Sequence, residues 1–205
     1  MNLNLVIVFF YSYVLGSIPF GLIITKLFLK KDIRNIGSGN IGATNVLRAG
    51  NKYLASATLL LDILKGYIPV IVAKHFFPEL LQLSALLAFL GHLFPVWLKF
   101  NGGKGIATFL GILFALSYGL AALFIFTWLT VSLIFKYSSL SSIFSSLTVF
   151  IVSFITEEIT FAINANTYID GDLKFLLFII LILIIFTHRK NISKLKNGIE
   201  QKIKL

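Results

Sequence analysis

Apolar residues run along most of this chain, and the polar ones gather into a few short segments between the apolar runs. A bilayer core of about 30 Å calls for about 20 apolar residues per helix. Candidate spans of roughly that size lie at Leu3 to Leu29, Tyr53 to Ala73, Leu80 to Leu98, Leu140 to Ile155 and Leu173 to Thr187, with a longer apolar stretch from Gly105 to Phe135. That longer stretch exceeds one ordinary helix, and Ser117, Tyr118 and Gly119 sit where a turn would divide it. Its first piece would be only about 20 Å long, which suits a half-span entered from a loop. Inside the first span, the Gly16, Pro19 and Gly21 cluster predicts a kink or unwound turn, because proline cannot donate the helical hydrogen bond.

Charge gives these spans a direction. Lys30, Lys31, Arg34, Arg48 and Lys52 follow the first span, and Arg189, Lys190, Lys194, Lys196, Lys202 and Lys204 follow the last. The positive-inside rule places both groups in the cytosol. The acidic segment holding Glu157, Glu158, Asp170 and Asp172 then falls outside. An N-terminus outside and a C-terminus inside demand an odd number of crossings. Dividing the Gly105 to Phe135 stretch makes them about seven, with about five as the alternative. The expected architecture is an all-α integral membrane protein, a polytopic helical bundle in which residues 1–205 form a single membrane domain without internal repeats.

Composition agrees with this reading: 58% hydrophobic and 13% charged residues do not fit one soluble core. The run starting at Leu3 has no basic region before it and no small-residue cleavage site after it, so the mature chain is expected to begin at Met1. The absence of cysteine excludes disulfides, thiolate nucleophiles and acyl-cysteine intermediates. The net charge of +10 clusters beside apolar segments, where topology and anionic lipid headgroups account for it, so lipid and not nucleic acid is the expected partner.

Four polar segments exceed what spanning requires, and with about seven crossings all of them face the cytosol. In the first, from Ile36 to Arg48, Gly37, Gly39 and Gly42 let backbone amides approach an anion. The Ser38, Asn40, Thr44 and Asn45 side chains can orient a polyol, and Arg48 can grip a phosphate through two bonds. The second, Phe100 to Thr108, places Gly102, Gly103, Lys104 and Gly105 directly before a helix, an arrangement suited to an anion. It lacks the spacing of a nucleotide-binding loop. In the third, the basic tail, His188 and Asn191 sit three apart and would line one helix face at the membrane surface. The fourth, Lys136 to Ser142, is the least specific, since its serines could cap a helix. Within the spans, Asp62 and Lys65 are spaced to pair on one helix face, where the charges either serve function or neutralise each other to buttress packing. His92 is open to the same two readings.

Taken together, GSIPFG, GSGNIGATNVLR, LDILKG, GHLFPVWLKFNGGKGIAT, KYSSLSS and HRKNISKLKNGIE resemble, in order and over nearly the whole chain, the bacterial acyl-phosphate:glycerol-3-phosphate acyltransferases, the PlsY family. Ile41 stands where that family often has proline, and Lys194 where it usually has arginine, which loses the planar fork. The resemblance implies transfer of a fatty acyl group from acyl phosphate to the sn-1 hydroxyl of glycerol 3-phosphate, giving lysophosphatidic acid and phosphate in the first acylation of phospholipid synthesis. It implies no metal or other cofactor, a bacterial inner-membrane location and a cytosolic active site. No protein partner is expected. By this match Ser38, His188 and Asn191 join Arg48 and Lys104 as catalytic residues, with Gly37, Asn40, Thr44, Asn45, Gly102, Gly103, Gly105 and Ser142 holding substrate or phosphate. CoA- or carrier-dependent acyltransferases carry an aspartate five residues after a histidine, whereas here Leu80, Trp97 and Ser193 follow His75, His92 and His188 at that spacing. A CDP-alcohol phosphotransferase would need an array of aspartates for metal. A transporter would line a path through mid-membrane, for which only Asp62 and Lys65 speak.

Overall fold

The computed structural model describes residues 3–163 and 171–203, with the side chains from 155 to 172 excepted. Of the expected outer acidic segment, Asp170 therefore lies outside the described residues, and the side chains of Glu157, Glu158 and Asp172 lie outside the described side chains. Every regular element described is a helix. The chain divides into two compact units, Met1–Leu116 and Ser117–Leu205.

In the first unit, the apolar run from Leu3 forms α1 (Leu3–Ser17) and α2 (Phe20–Leu29), broken at Ile18 and Pro19 as the proline requires. A 3₁₀ turn (Ile33–Asn35) and the short α3 (Ala43–Arg48) follow, and Asn51 caps the long α4 (Lys52–Phe76) by accepting from the Leu54 amide at 3.0 Å. Next come α5 (Leu81–Leu93), a 3₁₀ turn (Val96–Leu98) and α6 (Ile106–Leu116). Glycines let these helices approach to backbone contact. A Cβ at Gly16 would overlap the Ala88 backbone, one at Gly66 the Thr108 carbonyl, and one at Gly111 the Ile63 carbonyl. Buried hydroxyls add directional bonds: Ser12 and Ser84 meet at 2.8 Å, and the Pro69 carbonyl accepts from Ser84 at 3.0 Å and Tyr11 at 3.1 Å, joining α1, α4 and α5.

These contacts set the register. Thr108 lies against Gly66, in the middle of α4, and Ala115 accepts from Lys74 near its end. Because Thr108 stands in the first turn of α6, a helix of about 16 Å, the segment before it reaches half-way along α4.

The second unit begins where expected. Ser117 ends α6 and caps α7 (Tyr118–Phe135), its Oγ accepting from the Leu120 amide at 3.3 Å. Next are α8 (Ser138–Ile163), α9 (Gly171–Thr187) and α10 (Arg189–Lys196). A bend of 57° separates the last two. On α8 the hydroxyls of Ser141, Ser142, Ser145 and Ser146 return to carbonyls four residues back at 2.7–2.8 Å, leaving a narrow buried face.

Four helical segments among the described residues, Leu3–Leu29, Lys52–Phe76, Pro78–Leu98 and Tyr118–Phe135, are long and apolar enough to cross a membrane, and the bent α9–α10 pair would make five. Ile106–Leu116 and Ser138–Phe154 are shorter apolar helices.

Candidate active site

The loop from Ile36 to Gly42 is built around one side chain. Asn45 is 2% exposed. Its Nδ2 faces the carbonyls of Ile33, Ile36 and Asn40 at 3.1, 2.9 and 2.7 Å, and its Oδ1 accepts from the Ser38 amide at 2.9 Å. Gly37 takes a positive φ of 56° so that the chain can turn over this carboxamide, and a Cβ there would come within 2.5 Å of Asn45 Oδ1. The Gly39 amide donates to the Ile36 carbonyl at 3.0 Å and the Gly42 amide to Asn40 Oδ1 at 2.9 Å. Two sequence expectations are corrected here. The amides of Ser38, Gly39 and Gly42 close the loop internally, and Asn45 is a staple inside it, fully engaged with backbone. What the loop presents outward is the exposed Ser38, with Thr44 and Arg48 half-buried on α3. Among the described residues Arg48 forms no ion pair.

At the mouth of this loop, Asp32 binds the Arg34 guanidinium at 2.6 Å and accepts from its amide at 3.0 Å. These bonds hold the Asp32 carboxyl down to about 2, first through the Arg34 side chain and then through its amide. Beneath it, Leu22, Ile33, Ile41, Val46 and Ala55 form a buried apolar cluster against which Leu98 packs. The first polar loop and the segment leading to Lys104 thus meet at one end of the first unit.

The Gly102–Gly105 segment differs from its sequence reading in the same way. The Gly102 amide donates to the Leu93 carbonyl at 3.0 Å and the Gly103 amide to the His92 carbonyl at 3.1 Å, so neither is aimed at an anion. These glycines permit close packing. A Cβ at Gly102 would strike the His92 carbonyl, and one at Gly103 the His92 ring. Gly105, at φ 81°, lies against Phe89 and Leu93. Lys104, between them, is half-buried.

Asp62 and Lys65 pair as expected, at 2.7 Å and nearly without exposure. Lys65 Nζ also donates to the Ile18 carbonyl at 2.7 Å, at the break between α1 and α2. His92 Nδ1 stands 3.9 Å from Asp62 Oδ1 and 3.1 Å from Thr108 Oγ1.

In the second unit, His188 is the N-cap of α10, 1% exposed, with Nδ1 2.8 Å from the Ile184 carbonyl. It therefore occupies the α9–α10 bend, correcting the picture of a surface helix face shared with Asn191. Asn191 donates to Glu200 Oε1 at 2.7 Å, and Ser139 donates to the same oxygen at 3.0 Å. Ser142 is also buried, accepting from Trp128 Nε1 at 3.2 Å and donating to the Ser138 carbonyl at 2.8 Å, so it ties α7 to α8. Glu200 was absent from the expected site, although its position as an acid in an otherwise basic tail is a readable signal.

The family model for glycerol-3-phosphate acyltransferase matches residues 6–198. This chain belongs to that family. Among curated acyltransferases of this family, the glycerol-3-phosphate acyltransferase of Pelagibacter ubique is 53% identical over 195 residues, covering 95% of each chain. That of Mesorhizobium japonicum is 47% identical over 204 residues, covering 99% of this chain and 98% of its own. A crystal structure of PlsY (YgiH), an integral membrane glycerol 3-phosphate acyltransferase in its glycerol 3-phosphate form, superposes with a TM-score of 0.88 at 38% identity, over 97% of this chain and 95% of that one. Its lysophosphatidic acid form gives 0.85 at 37% identity over the same shares. With its several apolar helices, this acyltransferase-family chain is an all-helical, multi-pass membrane protein.

Proposed function

We propose that this chain transfers a fatty acyl group from acyl phosphate to the sn-1 hydroxyl of glycerol 3-phosphate, releasing lysophosphatidic acid and phosphate. The observation that carries the reading is the likeness, at a TM-score of 0.88, to an acyltransferase crystallised with glycerol 3-phosphate. The donor assignment rests on the motif resemblance. The attacking hydroxyl forms the new ester bond to the acyl carbon, the anhydride C–O bond breaks, and the hydroxyl proton goes to the departing phosphate. Because acyl phosphate is already activated, catalysis reduces to holding two anions in attack geometry and stabilising the oxyanion.

The roles follow from side-chain chemistry and from the motif resemblance. Arg48 and Lys104 hold the phosphates. Ser38, exposed at the top of the stapled loop, orients the substrate by hydrogen bonding without forming an acyl-enzyme. His188 and Asn191 steady the acyl phosphate. Gly37, Asn40, Asn45, Gly102, Gly103 and Gly105 shape the loops that present these groups, and Thr44 contributes a hydroxyl. No cofactor takes part. The protein sits in the bacterial inner membrane with about seven crossings, α6 being a half-span, and both polar loops and the basic tail face the cytosol.

Purified protein in detergent or lipid, supplied with palmitoyl phosphate and glycerol 3-phosphate, should release phosphate and lysophosphatidic acid in equal amounts, and palmitoyl-CoA should not replace the donor. Ser38→Ala and Lys104→Ala should each lower kcat/KM by about a hundredfold or more. Equal turnover of palmitoyl-CoA would overturn the donor assignment, and undiminished activity in both variants would overturn the site.

A further inference from the structure

Four buried polar groups outside the proposed site form a continuous chain through the first unit. It starts at the Ile18 carbonyl in the α1–α2 break, which accepts from the Phe20 amide at 3.1 Å and from Lys65 Nζ at 2.7 Å. Lys65 pairs with Asp62 at 2.7 Å, Asp62 faces His92 Nδ1 at 3.9 Å, and His92 Nδ1 meets Thr108 Oγ1 at 3.1 Å in the first turn of α6. Asp62, Lys65, His92 and Thr108 are 2%, 4%, 4% and 0% exposed. Charges so deeply withdrawn are costly, and a pair that only cancelled itself would be replaceable by apolar packing. This pair instead ends, on both sides, on segments that lead into candidate substrate loops.

The His92 end is the informative one. Its ring fills the place where a Gly103 Cβ would stand, its carbonyl takes the Gly103 amide at 3.1 Å, and the adjacent Leu93 carbonyl takes the Gly102 amide at 3.0 Å. Thr108 grips the same ring from beyond Gly105. The loop carrying Lys104 is thus held at Gly103 by the His92 carbonyl and by contact with the His92 ring, and at Thr108 by that same ring, which faces the buried ion pair at 3.9 Å.

We propose that His92 is a positioning residue for Lys104, with Thr108 and the Asp62–Lys65 pair as its supports. The inference rests on the placement of Lys104 in the substrate site given above. A clamp of this kind holds the lysine at the position its anionic substrate requires, so loosening it weakens substrate binding before it slows the chemistry. A purely structural role would lower the folded fraction, and with it the apparent kcat and the melting temperature, while leaving both KM values unchanged.

The test uses the full-length protein and two variants, His92→Ala and Thr108→Val, the second nearly isosteric and removing only the hydroxyl. Each should raise the KM for glycerol 3-phosphate or for palmitoyl phosphate by about fivefold or more, as expected for loss of a buried hydrogen bond, with kcat falling less. His92→Gln, which keeps a side-chain hydrogen-bonding group, should recover part of the loss. Amide hydrogen exchange on the substrate-free protein supplies a readout that does not depend on the reaction. Both variants should speed exchange over residues 101–108 and leave 36–48 unchanged. Unchanged exchange in this segment, or faster exchange with both KM values unaltered, overturns the proposal. An inactive wild-type protein would overturn the functional reading and still leave exchange to decide the clamp. If His92→Ala does not fold, Thr108→Val carries both measurements.

Discussion

The carboxamide of Asn45 shows what one residue contributes to this fold. Its two donor hydrogens serve three carbonyls, one in the 3₁₀ turn and two in the irregular loop that follows, and its oxygen serves the Ser38 amide of that loop. Asn45→Ala leaves these backbone groups without partners, at about 1–3 kcal/mol for each that stays buried. Thermal unfolding in detergent should show a clear fall in melting temperature. Asn45→Asp should be no better, because a carboxylate would face three carbonyl oxygens. A melting temperature unchanged in both variants would refute the staple. The sequence shows a polar asparagine in a glycine-rich loop, and both a ligand contact and an internal staple fit that description. Burial separates them, and burial belongs to the tertiary structure.

Between elements, what matters is how closely backbones approach. Gly66 on α4 and Gly111 on α6 each face a backbone carbonyl across the contact, at Thr108 and Ile63. Gly119, at the start of α7, has nothing nearer to its would-be Cβ than Ser117 Oγ at 3.7 Å. The three glycines therefore predict opposite outcomes. Gly66→Ala and Gly111→Ala force α4 and α6 apart and should each cost about 1–3 kcal/mol. Gly119→Ala should be neutral or stabilising by up to about 1 kcal/mol, through reduced freedom of the unfolded chain and better helix propensity. Melting temperatures of the three variants in one detergent decide the matter, and equal losses at all three would defeat the close-packing account. Helix boundaries were more legible than these contacts. The break at Pro19 and the division at Ser117 follow from local backbone chemistry, whereas which glycine meets a neighbour depends on a partner helix far along the chain.

At the scale of the whole molecule, the number and direction of bilayer crossings decide which loops share a face. The sequence has no cysteine, so single cysteines introduced one at a time report sidedness without background. Lys31, Glu79, Lys136 and Lys196 are all exposed positions. With about seven crossings and a cytosolic tail, cysteines at 31, 136 and 196 should react with a membrane-impermeant maleimide only in inverted vesicles, and one at 79 only in right-side-out vesicles. A cysteine at 136 labelled from the outer face would reject the half-span at α6 and favour fewer crossings.

Sequence alone determined the class of protein, its helical segments, its breaks and the polar loops that matter, because each depends on local composition and on solvent chemistry acting residue by residue. It also carried the family resemblance, since the motifs are contiguous. It could not assign the jobs within those motifs. Gly102 and Gly103, read as an anion cradle, bind carbonyls of α5. Asn45 and Ser142 point inward. His188 caps a bent helix, and His92, ambiguous in the sequence, clamps the Lys104 loop. In each case a hydrogen-bonding group had two possible partners, a ligand or the protein's own backbone, and only the long-range packing of helices decided which one lay within reach.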